Sequence, residues 1–189
     1  MIDFMMRMLF EIGIRYSIYS QREKDTVKDI INKSCYVALD YEKEFNFFET
    51  YEYELPDNSS IIIKEQRFRC FEVLFKPEII GKFEDGFDKN CYNSIEKCDI
   101  DIKKELYNNI VLSGINSSLK GLNERLTKEI KHLLNSSDNE FKVISDQNGN
   151  FSTWIGGSIL SSLSTFEPMW ITKAEYEESG SAIVHRKCF

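Results

Sequence analysis

Histidine is scarce in this 189-residue sequence, with only His132 and His185, and no two cysteines have the CxxC spacing. A zinc site needs several such side chains at short, regular intervals, so none is expected. The five cysteines, Cys35, Cys70, Cys91, Cys98 and Cys188, are odd in number and irregularly spaced. That argues against a disulfide framework and fits reduced thiols, with Cys188 the one expected to be exposed and reactive. Positive charge is also short. A formal net charge of −7 leaves no basic face for a nucleic acid. No apolar run approaches the length of a membrane span. The apolar start, Met1 to Ile14, is interrupted by Asp3, Arg7 and Glu11, and no small-residue cleavage site follows. No signal peptide is read, and a cytoplasmic protein is expected. Also missing is a glycine-rich loop leading into Lys-Ser or Lys-Thr, the usual phosphate cradle.

What remains is ordinary globular composition: 42% hydrophobic and 29% charged residues exclude wholesale disorder and allow a core in one or two domains. Asp3 to Ile14 reads as a helix with Met5, Met6, Leu9 and Phe10 on its apolar side. Thr26 to Asp40 reads as a second, capped at Asp25 or Thr26, with Val27, Ile30, Ile31, Val37 and Ala38 apolar. Tyr51, Tyr53 and Leu55 alternate before Pro56-Asp57-Asn58, and Ile61 to Ile63 follow, which predicts a β-hairpin with an Asp-Asn turn. Phe68 to Ile80 is a mixed apolar stretch. Helix is expected again at Asn90 to Ser94 and Ile100 to Asn109, then a short buried strand at Ile110 to Ser113. Leu119, Leu122, Leu126, Ile130 and Leu133 recur at helical spacing. A polar loop at Asn135 to Asn139, a strand at Phe141 to Ile144 and a turn at Gln147 to Asn150 complete this part.

The last quarter opens on Phe151-Ser152-Thr153-Trp154-Ile155, which reads as a strand, followed by Gly156-Gly157 and the apolar-periodic Ile159, Leu160 and Leu163. A glycine pair at a strand-to-helix junction permits close backbone packing and turns amides toward solvent, where a phosphate could sit. Packing alone explains such a pair equally well.

Several segments carry a resemblance. Cys35-Tyr36-Val37-Ala38-Leu39-Asp40-Tyr41-Glu42, Tyr53-Glu54-Leu55-Pro56-Asp57, Glu65-Gln66-Arg67-Phe68-Arg69-Cys70, Asn93 to Ile102, Val111-Leu112-Ser113-Gly114, Trp154 to Lys173 and Ile183 to Phe189 resemble, in this order, segments of actin. The resemblance covers essentially the whole chain. It implies an α/β protein, the second half of the actin-like ATPase (ribonuclease H-like) fold, with an incomplete sheet and a helical, hairpin-bearing insertion. The implied division is a small insertion subdomain over residues 1–82, a partial large α/β subdomain over 83–152 and a C-terminal helical tail over 153–189.

The family binds ATP or ADP with Mg between two domains. The resemblance maps the adenine and ribose side onto Lys28, Asn32 and Gly114. Lys28 stands where the family has an arginine. Ile31-Asn32 replaces a Lys-Glu pair at the base and ribose, and losing one charge-assisted hydrogen bond costs roughly 1.5–3 kcal/mol. Ile115 stands where a second glycine would let backbone approach the ligand, Leu119 replaces an aromatic, and Asn150 replaces a lysine. The catalytic residues and both phosphate hairpins of the family have no counterpart in this sequence, so no catalytic and no metal-binding residue is assigned. No cofactor is expected on this chain by itself. Lys28 in such a place is more often a surface helix residue and Gly114 a strand-to-loop turn, and a solvated helix position explains Asn32 equally well.

A groove that receives partner helices maps onto Ile155, Leu160, Leu163, Thr165 and Met169, and the loop Ile79 to Phe83 resembles a filament plug. The expected function is that of an actin-like cytoskeletal protein working through contacts with actin or actin-binding proteins. An ATP-binding filament subunit and a degenerate fragment without a role of its own are the alternatives.

Overall fold

The computed structural model describes residues 1–16, 20–134, 141–145 and 149–188. The expected loop Asn135 to Asn139 and residues 147–148 of the expected turn lie outside them.

Helix α1 (Ile2–Glu11) buries Met5, Met6, Met8 and Leu9 along one stripe. It stops three residues short of the expected end because Gly13, at φ +91°, reverses the chain, and the N–H groups of Ile12 and Ile14 both return to the Leu9 carbonyl. Phe10, expected on the apolar side, is exposed, with the Arg15 guanidinium 5.7 Å above its ring.

Helix α2 (Gln21–Ser34) begins earlier than its apolar pattern indicated. Its N-cap is Ser20, whose Oγ accepts from the Glu23 amide at 3.4 Å, and neither Asp25 nor Thr26 has that role. It also ends at Ser34, well before Asp40. The next residues take their backbone bonds elsewhere: Tyr36 donates to the Arg67 carbonyl at 3.1 Å, and Val37 to the Lys120 carbonyl at 2.8 Å. Val37 and Ala38 are buried as the pattern required, but in a non-helical connector. Gly121, at φ +84°, lies directly on the Val37 carbonyl, where any Cβ would collide.

Helix α3 (Tyr41–Phe47) is capped by Asp40, and strands β1 (Tyr51–Glu54) and β2 (Ser60–Ile63) form the expected antiparallel hairpin, Tyr51 opposite Ile63 and Glu54 opposite Ser60. The turn is the Asp-Asn one: Asp57 Oδ1 accepts from the Ser59 amide at 3.0 Å, and Asn58 takes φ +64°. Tyr53 reaches inward and donates to Asp29 Oδ2 at 2.5 Å, pinning the hairpin to α2. Helix α4 (Gln66–Glu72) inserts Phe68 among the rings of Tyr36, Tyr41, Phe45 and Phe48.

Helices α5 (Phe87–Glu96) and α6 (Ile100–Asn108) lead into β3 (Ile110–Leu112), which pairs in parallel with β4 (Val143–Ser145), Ile110 opposite Val143. Parallel neighbours need a crossover, and α7 (Leu122–Leu134) belongs to it, burying Leu122, Leu126 and Ile130. Leu119 falls outside that helix, at the end of the 3-10 turn Ile115–Ser118. Among the described residues the β3–β4 sheet has two strands only, so each keeps one open edge. One buried cluster runs from Met5 on α1 to Ile130 on α7.

The expected strand Phe151 to Ile155 is not a strand. Helix α8 (Ser152–Ser162) takes in Ser152 to Ile155, with Phe151 as its N-cap, and Gly156 and Gly157 lie in the helix interior instead of at a βα junction. The reason is hydrogen-bond supply. A strand there would need a neighbour for its amides and carbonyls, and a helix meets both within itself, beginning with Ile155 N–H to the Phe151 carbonyl at 2.8 Å. After a 3-10 turn at Glu167–Met169 come α9 (Lys173–Ser179) and α10 (Val184–Lys187), which close around the buried Ile183.

Helix α9 is held by a capping box: Thr172 Oγ1 accepts from the Glu175 amide, and Glu175 Oε2 accepts from the Thr172 amide at 2.9 Å. Lys187 Nζ sits 2.7 Å from Glu175 and donates to the Trp170 carbonyl at 2.7 Å. The ammonium, with the Thr172 donors, brings the Glu175 carboxyl down from its ordinary 4.5 to about 2. A depressed carboxylate stabilises the fold above its unfolded pKa and loses that effect as pH falls through the folded one. Residues 172–188 are therefore expected to loosen between about pH 4.5 and 2. Amide exchange measured across this range checks it, and Glu175→Gln is expected to remove the pH dependence.

Candidate functional site

Lys28 and Asn32 lie four residues apart on α2, so they share one solvent-facing stripe. Lys28 Nζ is 3.0 Å from Asp25 Oδ1, an exposed pair that holds the Asp25 carboxyl below its ordinary range. Ile31, beside them, is buried in the core and faces no ligand space. Gly114 belongs to another element, the turn after β3, at φ +90°. Its amide donates to the Gly149 carbonyl at 3.0 Å, and the Asn150 amide, turned with its nitrogen inward, reaches the Gly114 and Ile115 carbonyls at 3.3 and 3.1 Å. Among the described residues no hydrogen bond or ion pair joins the α2 pair to this turn. The Lys28 ammonium is engaged by Asp25, the turn carbonyls face Asn150, and Ile115 projects into solvent. Among the described residues no three His, Cys, Asp or Glu side chains cluster as metal ligands.

The five groove residues occupy one stretch. Ile155 and Leu160 are on α8, Leu163 is its C-cap, and Thr165 and Met169 follow in the connection to α9. All five are exposed. The groove assignment left out Trp154 and Ile159, which stand out further, at 73% and 59% exposure, as does Phe151. Helix α8 buries none of its residues although it carries Trp154, Ile155, Ile159 and Leu160. The apolar spacing of Ile159, Leu160 and Leu163 was readable in the sequence; their exposure was not. The plug-like loop forms a 3-10 turn, Pro77–Ile80, ending at Gly81 with φ +76°, and Phe83 beyond it is almost fully exposed.

The strongest electrostatic feature lies elsewhere and carried no sequence signal. Arg125 on α7 is buried, and its guanidinium grips Glu72 with both ends, Nη1 to Oε2 at 3.0 Å and Nη2 to Oε1 at 3.1 Å. It also donates to Glu129 at 2.6 Å and to the Ala38 carbonyl at 2.7 Å, and stacks 4.7 Å over the Phe75 ring. This knot joins α4, α7 and the connector after α2. It is a structural brace, the largest buried charge pair of the described residues. No described helix is long and apolar enough to cross a membrane.

The arrangement thus offers an exposed helix carrying four large apolar side chains and a braced α/β body. The motifs from Cys35 to Phe189 keep their order through that body and its tail. Residues 5–189 match the family model for actin, and the chain belongs to the actin family.

Proposed function

We propose that this actin-family chain works through actin-type protein–protein contacts, with residues 151–170 as the contact surface, and does not act as an ATPase. The observation that carries this is α8. Trp154, Ile155, Ile159 and Leu160 are exposed on it, and no residue of α8 is buried, which leaves an apolar surface uncovered. A complementary protein surface supplies the missing cover, and an amphipathic partner helix is the recurrent form of it. Actin and actin-binding proteins are the proposed partners, and the cytoplasmic cytoskeleton is the proposed setting.

The finer fold reading belongs to the same proposal: residues 1–82 as the hairpin-bearing insertion, 83–152 as part of the large α/β subdomain and 153–189 as the tail of an actin second half. It is supported by the two-stranded parallel ladder with open edges, which is what one portion of a larger sheet looks like. The engagement of Lys28 by Asp25 and of the Gly114 carbonyl by Asn150 supports the absence of nucleotide affinity, since a micromolar site needs about 8 kcal/mol of binding free energy.

Two measurements on the 189-residue chain test both halves. Calorimetry is expected to detect no micromolar ATP binding; a micromolar affinity would restore the ATP-binding reading. Co-sedimentation with polymerised actin is expected to carry the chain into the pellet, above the amount that sediments without filaments. The variant Leu160→Asp/Leu163→Asp is expected to lose at least about tenfold in that binding. Equal pelleting of both proteins would remove α8 from the proposal.

A further inference from the structure

Two thiols meet in the core where α2 ends. Cys35 is the C-cap of α2, and Cys70 lies within α4. The backbone holds these segments side by side: the Tyr36 amide donates to the Arg67 carbonyl at 3.1 Å, and Arg67 Nε donates back to the Ser34 carbonyl at 2.9 Å. Both neighbours of Cys35 are thus tied to one residue of α4, and Cys70 stands three positions further on, on the same side of that helix. Both side chains belong to the buried cluster, and the two thiols share a hydrogen bond. Both are free cysteines.

The two sulfurs are not equivalent. Cys70 is fully buried, whereas Cys35 keeps 9% exposure. Ser34 Oγ lies 3.7 Å from Cys35 Sγ, and the Arg67 guanidinium is held at the Ser34 carbonyl. The Cys70 thiol first, then Ser34 and the Arg67 charge, hold the Cys35 thiol below its ordinary range against the opposing effect of burial. The Cys35 contact and burial push the Cys70 thiol up. Cys35 is therefore the sulfur that combines thiolate character with an opening to solvent, the two properties of a peroxide-reactive thiol. Cys70 needs no opening, because the sulfur it would react with is already beside it.

We propose that Cys35 and Cys70 form a reversible disulfide, with Cys35 the sulfur that reacts with hydrogen peroxide and Cys70 the one that resolves the product. The Cys35 thiolate attacks one peroxide oxygen and the O–O bond breaks. Hydroxide leaves and takes up the thiol proton as water, and Cys35 is left as a sulfenic acid. The Cys70 sulfur then attacks the Cys35 sulfur: the S–S bond forms, the S–O bond breaks, and the second oxygen leaves as water with the Cys70 proton. Two thiols give up two electrons and two protons, and one peroxide becomes two waters. The bond fastens the end of α2 to α4 and closes the chain between them, α3 and the β1–β2 hairpin included, into one loop, which restricts the unfolded state. It involves neither α8 nor the nucleotide-side residues, so the inference stands apart from the function proposed above.

Brief exposure of the 189-residue chain to hydrogen peroxide, alkylation of the remaining thiols in denaturant and peptide mass spectrometry without reduction test it. The expected product is a cross-link between Cys35 and Cys70 that dithiothreitol reverses, together with a Tm rise of roughly 5 °C or more over the reduced chain. In Cys70→Ala, Cys35 is expected to remain a sulfenic acid that dimedone traps; in Cys35→Ala, Cys70 is expected to stay reduced. Circular dichroism first establishes that both variants fold, and the mapping on the unaltered chain decides without them where they do not. Recovery of Cys35 and Cys70 as free thiols, whatever becomes of the exposed Cys188, overturns the site, and so does a link from either of them to a different cysteine. Oxidation of Cys70 in Cys35→Ala at the unaltered rate overturns the assignment of roles. A cross-link without a rise in Tm overturns its stabilising effect.

Discussion

Arg125→Ala is expected to cost about 3–5 kcal/mol of folding stability. The cost is not the loss of an attraction alone. Glu72, only 1% exposed, would keep its charge in the interior with nothing but the partly exposed Lys76, 3.6 Å away, to balance it. Desolvation of an unpaired carboxylate outweighs the Coulomb energy of any one surviving neighbour. The same reasoning predicts the opposite result for a double replacement. Glu72→Leu/Arg125→Met removes both charges and retains most of the volume, and it is expected to be near neutral or to stabilise by about 1–4 kcal/mol. The Ala38 carbonyl and Glu129 lose a donor in this variant, so the lower part of that range is expected. Pulse proteolysis in urea measures both. A loss under about 1 kcal/mol for Arg125→Ala would show that the knot is not a brace.

The second large effect concerns association. Ile159, Leu160 and Leu163 are each about half exposed, so covering them in a contact gains roughly 1 kcal/mol apiece. Three such residues together change an association constant by about a hundredfold. Ile159→Ser/Leu160→Ser/Leu163→Ser is therefore expected to shift the purified chain from self-associated or aggregated species toward monomer in sedimentation velocity. The body is expected to keep its stability within about 0.5 kcal/mol, because these side chains bury nothing in it. The open edges of β3 and β4 remain in the variant as a second source of self-association, so the shift is large but incomplete. Unchanged sedimentation would mean that α8 is not the surface that recruits other chains.

Much of the body was legible in the residues. The Leu122, Leu126 and Ile130 spacing gave α7, the alternation around Pro56-Asp57-Asn58 gave the hairpin, and the run at Ile110 gave β3. The errors have a common cause. Phe151 to Ile155 has strand-forming residues followed by two glycines, yet strand formation depends on a neighbour with free backbone groups, which no local pattern reveals. Val37 and Ala38 continued an apolar period, but the backbone there bonds to Lys120, more than eighty residues along the chain. Ser20 is separated from the first buried residue of α2 by six polar positions, so the apolar pattern alone placed the cap too late. The buried Glu72 and Asp88 look like surface acids in the sequence; only the tertiary structure puts one under Arg125 and the other in the buried first turn of α5.

The central claim is that α8 is a contact helix waiting for a protein partner, and hydrogen exchange with and without polymerised actin tests it most directly. In the free chain the amides of Ser152 to Ser162 are expected to exchange quickly, because no side chain of α8 is buried to hold the helix closed. On adding filaments, protection over these residues is expected to rise by at least about tenfold, while α2 around Lys28 and Asn32 stays as it was. Unchanged exchange in α8, or new protection confined to α2, would contradict the account.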